Sequence, residues 1–397
     1  MSQGKNISDR EKLICTHPHA ALTRNTRGRY APLAPENIRN EYQRDVHRIA
    51  YSQPFRRLRN KTQVFYLPEN DHICTRLEHS LHVANAARTV ARALNLNEDL
   101  AEAIGLGHDL GHAPFGHHGE FVLGEICKRE GIAPDFHHEV NSLRVVDKLA
   151  QLDRNPTHGL NLTYEVRDGI VSHNGEDFNQ RIIKPFEGDK DLDKIKLRRD
   201  AGNAISMEGC IVRLVDKVAY AGRDLEDGIK AKLIDPNLIP KNLRDTLGKE
   251  NGTIVGTLIK DIVNCSSKSD KYIALSQEKF DALNELLKYN YKNIYLGERV
   301  QQYRIRATRS IKHLFEVLME TLKETKRFEN SEKSKILSPN GKSIKSGGLD
   351  VFKNFISDIG YKDDESDAQI CIDFISGFTD QYVLRFLEEV FVPKAIV

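Results

Sequence analysis

The stretch RLEHSLHVANAARTVARALNL, residues 76–96, decides the fold class. Leu77, Leu81, Ala84, Ala87, Ala91 and Leu94 recur at steps of three and four, which makes one apolar stripe along a 3.6-residue helix. Immediately downstream, EDLAEAIGLGHDL (98–110) predicts a second helix, ended by Gly111 and Pro114. A third is predicted over 117–130, stopped by Gly131, and a fourth over 138–150 with Val140, Leu143 and Val146 as its apolar positions. The segment 206–232 has the clearest pattern: Met207, Ile211, Leu214, Val218, Leu225 and Ile229 form a stripe behind an N-cap at Ser206. Further helices fit 275–290, 298–326, 350–359 and 367–391. Strand signals are sparse, with VFYL (64–67) as one strand of a small hairpin. The polar stretches 151–162, 184–204 and 327–348 read as loops or insertions. The expected class is all-α with at most a small β-hairpin. Its expected parts are an N-terminal extension (1–50), a histidine-rich core (51–235) and a helical C-terminal region (236–397).

Composition narrows the function. The chain has 397 residues, 59 basic against 57 acidic, a balance that neither demands nor excludes nucleic acid. No run of 18 apolar residues exists, which excludes a membrane-spanning helix, and the N-terminal MSQGKNISDREKL has no apolar core of a secretory leader. The six cysteines lie far apart with no C-x-x-C, so reduced thiols in a cytoplasmic protein are expected. Of the 15 histidines, nine fall between His72 and His138. Histidine is the commonest metal ligand and the side chain best suited to proton transfer near neutral pH, so this clustering locates a site.

The central motif is HDLGHAPFGHHGE, residues 108–120. A lone His-Asp pair means little. Here His79 lies upstream on the 76–96 helix and Asp216 downstream on the 206–232 helix. Two imidazoles and two carboxylates make a mixed nitrogen–oxygen site for a divalent ion such as Mn, Fe, Ni, Zn or Mg. Asp216, Tyr220 and Asp224 are spaced i, i+4, i+8 and share a helix face. Arg56, Arg57, Arg59, Lys61 and Arg76 offer positive charge to a polyphosphate. No G-x-x-x-x-G-K-[ST] loop is present, which excludes a P-loop mechanism.

With these segments in order, the chain resembles the HD-domain superfamily, and within it the deoxynucleoside triphosphate triphosphohydrolases (dGTPase-like proteins). FRRLRNKTQVF (55–65), RLEHS (76–80), HDLGHAPFGHHGE (108–120), HHE (137–139), DKVAYAGRD (216–224) and DFISGFTDQY (373–382) carry the resemblance. Bacterial members often read HPPFGH where this chain has HAPFGH. The resemblance implies an HD-domain helical core with His79, His108, Asp109 and Asp216 as metal ligands. It implies a pair of His117 and Glu120 at the α-phosphate, with His112 and His138 as further active-site histidines. It places Arg76 and Lys217 on the triphosphate, Gln63 on the sugar 3′-hydroxyl, and Tyr220 and Asp224 against the deoxyribose. The implied reaction cleaves a dNTP between the 5′-oxygen and the α-phosphorus, releasing inorganic triphosphate, with one divalent ion per site. It also implies a homo-oligomer, often a hexamer or tetramer, sometimes activated by a nucleotide at a second site. Basic residues at 24–61 offer a place for single-stranded nucleic acid.

Two other classes use similar residues. One is another HD phosphohydrolase or phosphodiesterase, against which stands the absence of HDxxED and HDxGK. The other is a nucleotide- or single-strand-binding regulator, against which stands the full set of four ligands. His72 and His82 read as surface or supporting residues. Of the adjacent pair His117 and His118, the first is expected at the site. Phe374, Phe378 and Tyr382 read as core, and Asp373 and Asp380 as caps or bridges between helices.

Overall fold

Side-chain caps start the helices that carry the site. Thr75 opens the helix Arg76–Ala93 in a reciprocal box with Glu78. Asn97 caps Glu98–Gly107 through the amides of Asp99 and Leu100, and Ser206 caps Met207–Lys230 by accepting from the Gly209 amide. The computed structural model describes residues 7–66, 72–132, 135–152, 159–173, 180–329, 347–362 and 365–392. Among them, seventeen α-helices accompany one two-stranded antiparallel sheet, Ile182–Ile183 against Ile273–Ala274, with Ile182 opposite Ala274. The all-α class is as expected.

The expected helices are present with shifted ends: Arg76–Ala93, Glu98–Gly107, Gly116–Glu130, His138–Arg144 running into a π-turn, Met207–Lys230, Gln277–Asn290, Glu298–Glu329 and Gly347–Ile359. The stretch 367–391 differs. It is two helices, Asp367–Ser376 and Asp380–Phe391, because Thr379 in extended conformation caps the second by accepting from Tyr382. VFYL is not a strand. Val64–Tyr66 form bends and Leu67 lies outside the described residues, while Tyr66 stacks on Tyr303 with ring centroids 4.1 Å apart. The run therefore packs instead of entering a ladder, Val64 and Phe65 against the first apolar core and Tyr66 against the Glu298 helix. Within 184–204 there are short helical turns at Leu192–Lys194 and Arg198–Ala201. Residues 153–158 and 330–346 of the two other polar stretches lie outside the described residues.

Two apolar cores hold the helices. The first joins the helices Arg76–Ala93, Glu98–Gly107, Tyr164–Ser172, Met207–Lys230, Asn251–Ser266 and Gln277–Asn290 around Leu100, Ile104, Ile211 and Leu214, all fully buried. The second joins Gly116–Glu130, Glu298–Glu329 and the C-terminal helices around Leu123, Ile311, Leu314 and Ile375. Burying such side chains drives the association of helices that are marginal alone.

Helix Arg76–Ala93 buries most of the predicted stripe, with Ala84, Ala87, Ala91 and the capping Leu94 in the core, and leaves Leu81 out of it. Leu81 is 48% exposed, while Val83, Ala84, Ala87, Val90 and Ala91 are buried together with His79 and Ser80. Small residues set how closely this face packs. A Cβ on Gly105 would stand 2.7 Å from the Ala84 Cα, so the two helices approach closely only with glycine there. The site opens where the two cores meet.

Candidate active site

Three helices deliver the four expected ligands: Arg76–Ala93 carries His79, Glu98–Gly107 ends on His108 and Asp109, and Met207–Lys230 carries Asp216. The turn after His108 is pinned to helix His138–Arg144. Ser142 donates to the His108 carbonyl at 2.6 Å and accepts from the Gly111 amide at 2.8 Å, and Asn141 donates to the Gly111 carbonyl at 2.7 Å. Gly111 is required there, because a Cβ would fall 2.1 Å from the Ser142 nitrogen.

The structure brings the four side chains together. His79 Nε2 lies 2.9 Å from Asp216 Oδ1 and 3.8 Å from Asp109 Oδ2. His108 Nε2 lies 3.3 Å from Asp109 Oδ1 and 3.7 Å from Asp216 Oδ1. All four are buried. His108 donates from Nδ1 to the Gly105 carbonyl at 2.7 Å, so its Nε2 carries the lone pair. That nitrogen is buried without a hydrogen-bond partner and faces two carboxylates. Such an orphan is costly in a folded chain unless a ligand satisfies it. Donor atoms of His79, His108 and Asp216 lie within 4.8 Å of one another, and Asp109 stands beside them with one oxygen towards each imidazole; such a nitrogen–oxygen set fits a divalent ion.

Electrostatics agree. Burial alone would raise both aspartates, but His108, Arg76 and His112 hold Asp109 well below the usual carboxylate range. The hydrogen bond from His79, with the imidazoles of His108 and His79 packed against the carboxylate, does the same for Asp216. Both are therefore anionic. Arg76 reaches Asp109 Oδ2 at 2.8 Å and the Thr62 carbonyl at 3.1 Å, while its Nη2 is buried without a partner.

A cavity of about 580 Å³ opens over this centre, within the range of small-molecule sites. Gln63, Arg76, His79, Asp109, His112, His117, His138, Asp216, Lys217, Tyr220 and Asp224 all line it. His108 and Glu120 stand behind its wall, the first against the two aspartates and the second against His138. The i, i+4, i+8 spacing of Asp216, Tyr220 and Asp224 does place all three on the cavity. Burial raises Asp224 to about 7, and one of its oxygens accepts from Tyr295 at 2.7 Å while the other is buried without a partner. Burial, with Arg76 nearby, drives His112 well below its ordinary value, and its Nε2 stands 3.2 Å from Asp109 Oδ1.

The structure adds a partner to the expected pair of His117 and Glu120, and it places the arginine cluster away from the cavity. Glu120 pairs with His117, its Oε2 3.7 Å from His117 Nδ1, and also accepts from the ring Nδ1 (2.9 Å) and the amide (3.0 Å) of His138. His117 is half-exposed, whereas Glu120 and His138 are buried, so the shorter contacts go to the partner buried beside the carboxylate. The cluster Arg56, Arg57, Arg59 and Lys61 does not line the cavity. Arg56 and Arg59 are exposed, and buried Lys61 donates to the carbonyls of His112 and Ser376. Lys61 supports the backbone of the motif; Lys217, Lys288, Arg76 and Arg304 supply the positive charge at the cavity.

Neighbouring residues are placed as follows. His118 turns to the Arg304 carbonyl and the Thr308 hydroxyl, 2.8 Å each, and His72 and His82 are exposed. Asp380 bridges the amides of Thr62 (2.9 Å) and Phe115 (2.8 Å), and Phe374 and Phe378 are core. Sequence reasoning missed His173, Lys288, Tyr295 and Arg304. His173 is fully buried, with its ring 5.0 Å from that of His108, and burial lowers it to about 3. No local pattern marks these four. The one available signal was that two of them punctuate YKNIY (291–295) and the start of the long charged helix beyond it.

The HD domain family model matches residues 76–221. A deoxyguanosinetriphosphate triphosphohydrolase-like protein of Caldanaerobacter subterraneus subsp. tengcongensis is 35% identical over 98% of this chain and 96% of its own length. Proteins of the same description from Desulfatibacillum aliphaticivorans and Clostridium tetani are 41% and 32% identical. They cover 78% and 100% of this chain, and 82% and 98% of their own lengths. No helix among the described residues is long and apolar enough to cross a membrane.

Proposed function

The chain belongs to the family of deoxyguanosinetriphosphate triphosphohydrolase-like proteins, and from that premise we propose that it hydrolyses deoxynucleoside triphosphates to a deoxynucleoside and inorganic triphosphate. Membership makes it a phosphohydrolase; the substrate and the bond broken are the proposal. One observation carries it. A single cavity is lined by His79, Asp109 and Asp216, with His108 behind them, and by buried, unpartnered polar atoms of Gln63, Arg76, His112 and Asp224. Those are the groups a polar, highly anionic ligand with sugar hydroxyls would satisfy.

In this reading His79, His108, Asp109 and Asp216 hold one divalent ion, which when bound neutralises charge at the α-phosphate. Arg76 and Lys217 bind the phosphates. The Gln63 oxygen accepts from the sugar 3′-hydroxyl, and Tyr220 and Asp224 close on the deoxyribose where a 2′-hydroxyl would not fit. Water adds to the α-phosphorus, the bond to the 5′-oxygen breaks, and His117 hands that oxygen a proton as general acid. His112 and His138 form the wall behind the reacting phosphate. A homo-oligomer, hexameric or tetrameric, and activation by a dNTP or single-stranded nucleic acid complete the proposal.

The test is a panel of the four dNTPs, singly and in pairs, with Mn, Mg, Fe, Ni and Zn. Release of triphosphate with deoxynucleoside is the expected result. Release of diphosphate or monophosphate overturns the bond assignment. Turnover confined to mixtures identifies an activating nucleotide.

A further inference from the structure

His173 ends the helix Tyr164–Ser172 and is fully buried. Its Nδ1 lies 2.5 Å from the Ile170 carbonyl, which can only accept, so Nδ1 carries the ring proton and Nε2 is the acceptor. That Nε2 faces the Nε2 of His138 at 3.2 Å. Two lone pairs do not meet at hydrogen-bonding distance, so His138 donates there. Its other nitrogen lies 2.9 Å from Glu120 Oε2, and Glu120 also accepts from the His138 amide at 3.0 Å. The line Glu120–His138–His173 therefore carries one proton more than a carboxylate with two singly protonated rings.

We propose that His173 is a positioning residue that fixes both the ring and the protons of His138. With one nitrogen on Glu120 and the other on His173, His138 is committed within the wall. It stacks on His112 with ring centroids 3.9 Å apart and planes 16° apart, and both rings border the cavity. His138 then contributes a fixed hydrogen-bonded charge near the phosphates, and proton delivery falls to His117 at the cavity mouth. This division of labour rests on the hydrolase reading; the hydrogen-bond claim does not.

Two variants separate the two bonds of His173. H173N keeps a short amide beside the Ile170 carbonyl and leaves His138 without an acceptor. H173Q carries its amide oxygen to the place of Nε2. In protein labelled with 15N-histidine, the proposal expects a side-chain N–H resonance from His138 Nε2, retained in H173Q and lost in H173N. It expects kcat for dNTP to fall at least about tenfold in H173N and stay within about threefold of wild type in H173Q. KM and bound metal per chain stay unchanged in both, which separates positioning of His138 from damage to His108. Wild-type kcat and resonance in H173N overturn the proposal, as does equal loss in both variants or loss of metal with activity. Absence of the resonance from wild-type protein refutes the positioning alone. The full resonance pattern in a chain that turns over no dNTP supports the positioning and refutes the substrate reading.

Discussion

Glu208 makes stability depend on pH in a direction opposite to the usual carboxylate. It lies at the head of helix Met207–Lys230, fully buried, and accepts at Oε1 from the amides of Ala21 (3.1 Å) and Asn97 (2.9 Å). It thus ties the helix carrying Asp216 to the cap of the helix that ends on His108 and Asp109. Its Oε2 is buried without a partner. Burial, with repulsion from Glu11, raises it from 4.5 to about 7. In the unfolded chain the group loses its proton near 4.5, so between there and about 7 the folded chain holds a proton that the unfolded chain has lost. Stability therefore falls as pH rises through this window. A rise of about 2.5 pH units at about 1.4 kcal/mol each amounts to roughly 3 kcal/mol. Glu208→Gln has the shape of the protonated side chain and does not titrate. Urea unfolding of variant and wild type across pH 5 to 8 checks this, because other titrating groups cancel in the difference. The unfolding free energy of the variant minus that of wild type should grow by roughly 3 kcal/mol over that range. A difference constant to within about 0.5 kcal/mol would refute the reasoning.

Gly111→Ala should destabilise the chain by about 1–3 kcal/mol or more, since its Cβ meets Ser142 and Asn141 backbone that cannot swing aside. An unchanged thermal midpoint contradicts that. Ile211→Ala, at a fully buried position, should cost about 2–5 kcal/mol by denaturant titration, and less than 1 would show the first core to be loosely packed. His117→Ala should lower kcat by about 10²–10⁴-fold with KM little changed; equal loss in KM would make His117 a binding group.

The parts of the fold legible in the sequence were those where apolar spacing and capping chemistry agree, as in Ser206 followed by the Met207–Val218 stripe. Helix Glu41–Ala50 escaped because its buried face includes Arg44 and Asp45 alongside Tyr42 and Ile49. Helix Tyr164–Ser172 likewise buries Glu165, Arg167 and Asp168. Charges buried in pairs, such as Arg167 on Asp147 at 2.7 Å and Lys190 on Asp168 at 2.6 Å, erase the polar–apolar contrast on which periodicity depends. Leu81 misled in the opposite direction, because small residues rather than large ones form the close helix contact. The site was legible where a helix face sets the geometry, as for Asp216, Tyr220 and Asp224. Partner choice within it was not. His117 lies three residues from Glu120 and was readable from helix spacing, whereas His138 lies eighteen away, and only the tertiary fold shows that it takes the shorter hydrogen bonds. His173 joins the network through a tertiary contact across 35 residues, with no spacing rule to announce it.

The most direct test of the metal centre is elemental analysis of the purified chain before and after Asp216→Ala. The donor set formed by His79, His108, Asp109 and Asp216 predicts one divalent ion per wild-type chain and none retained by the variant after dialysis. Wild-type protein without a divalent ion after loading, or a variant that keeps the full complement, would contradict it.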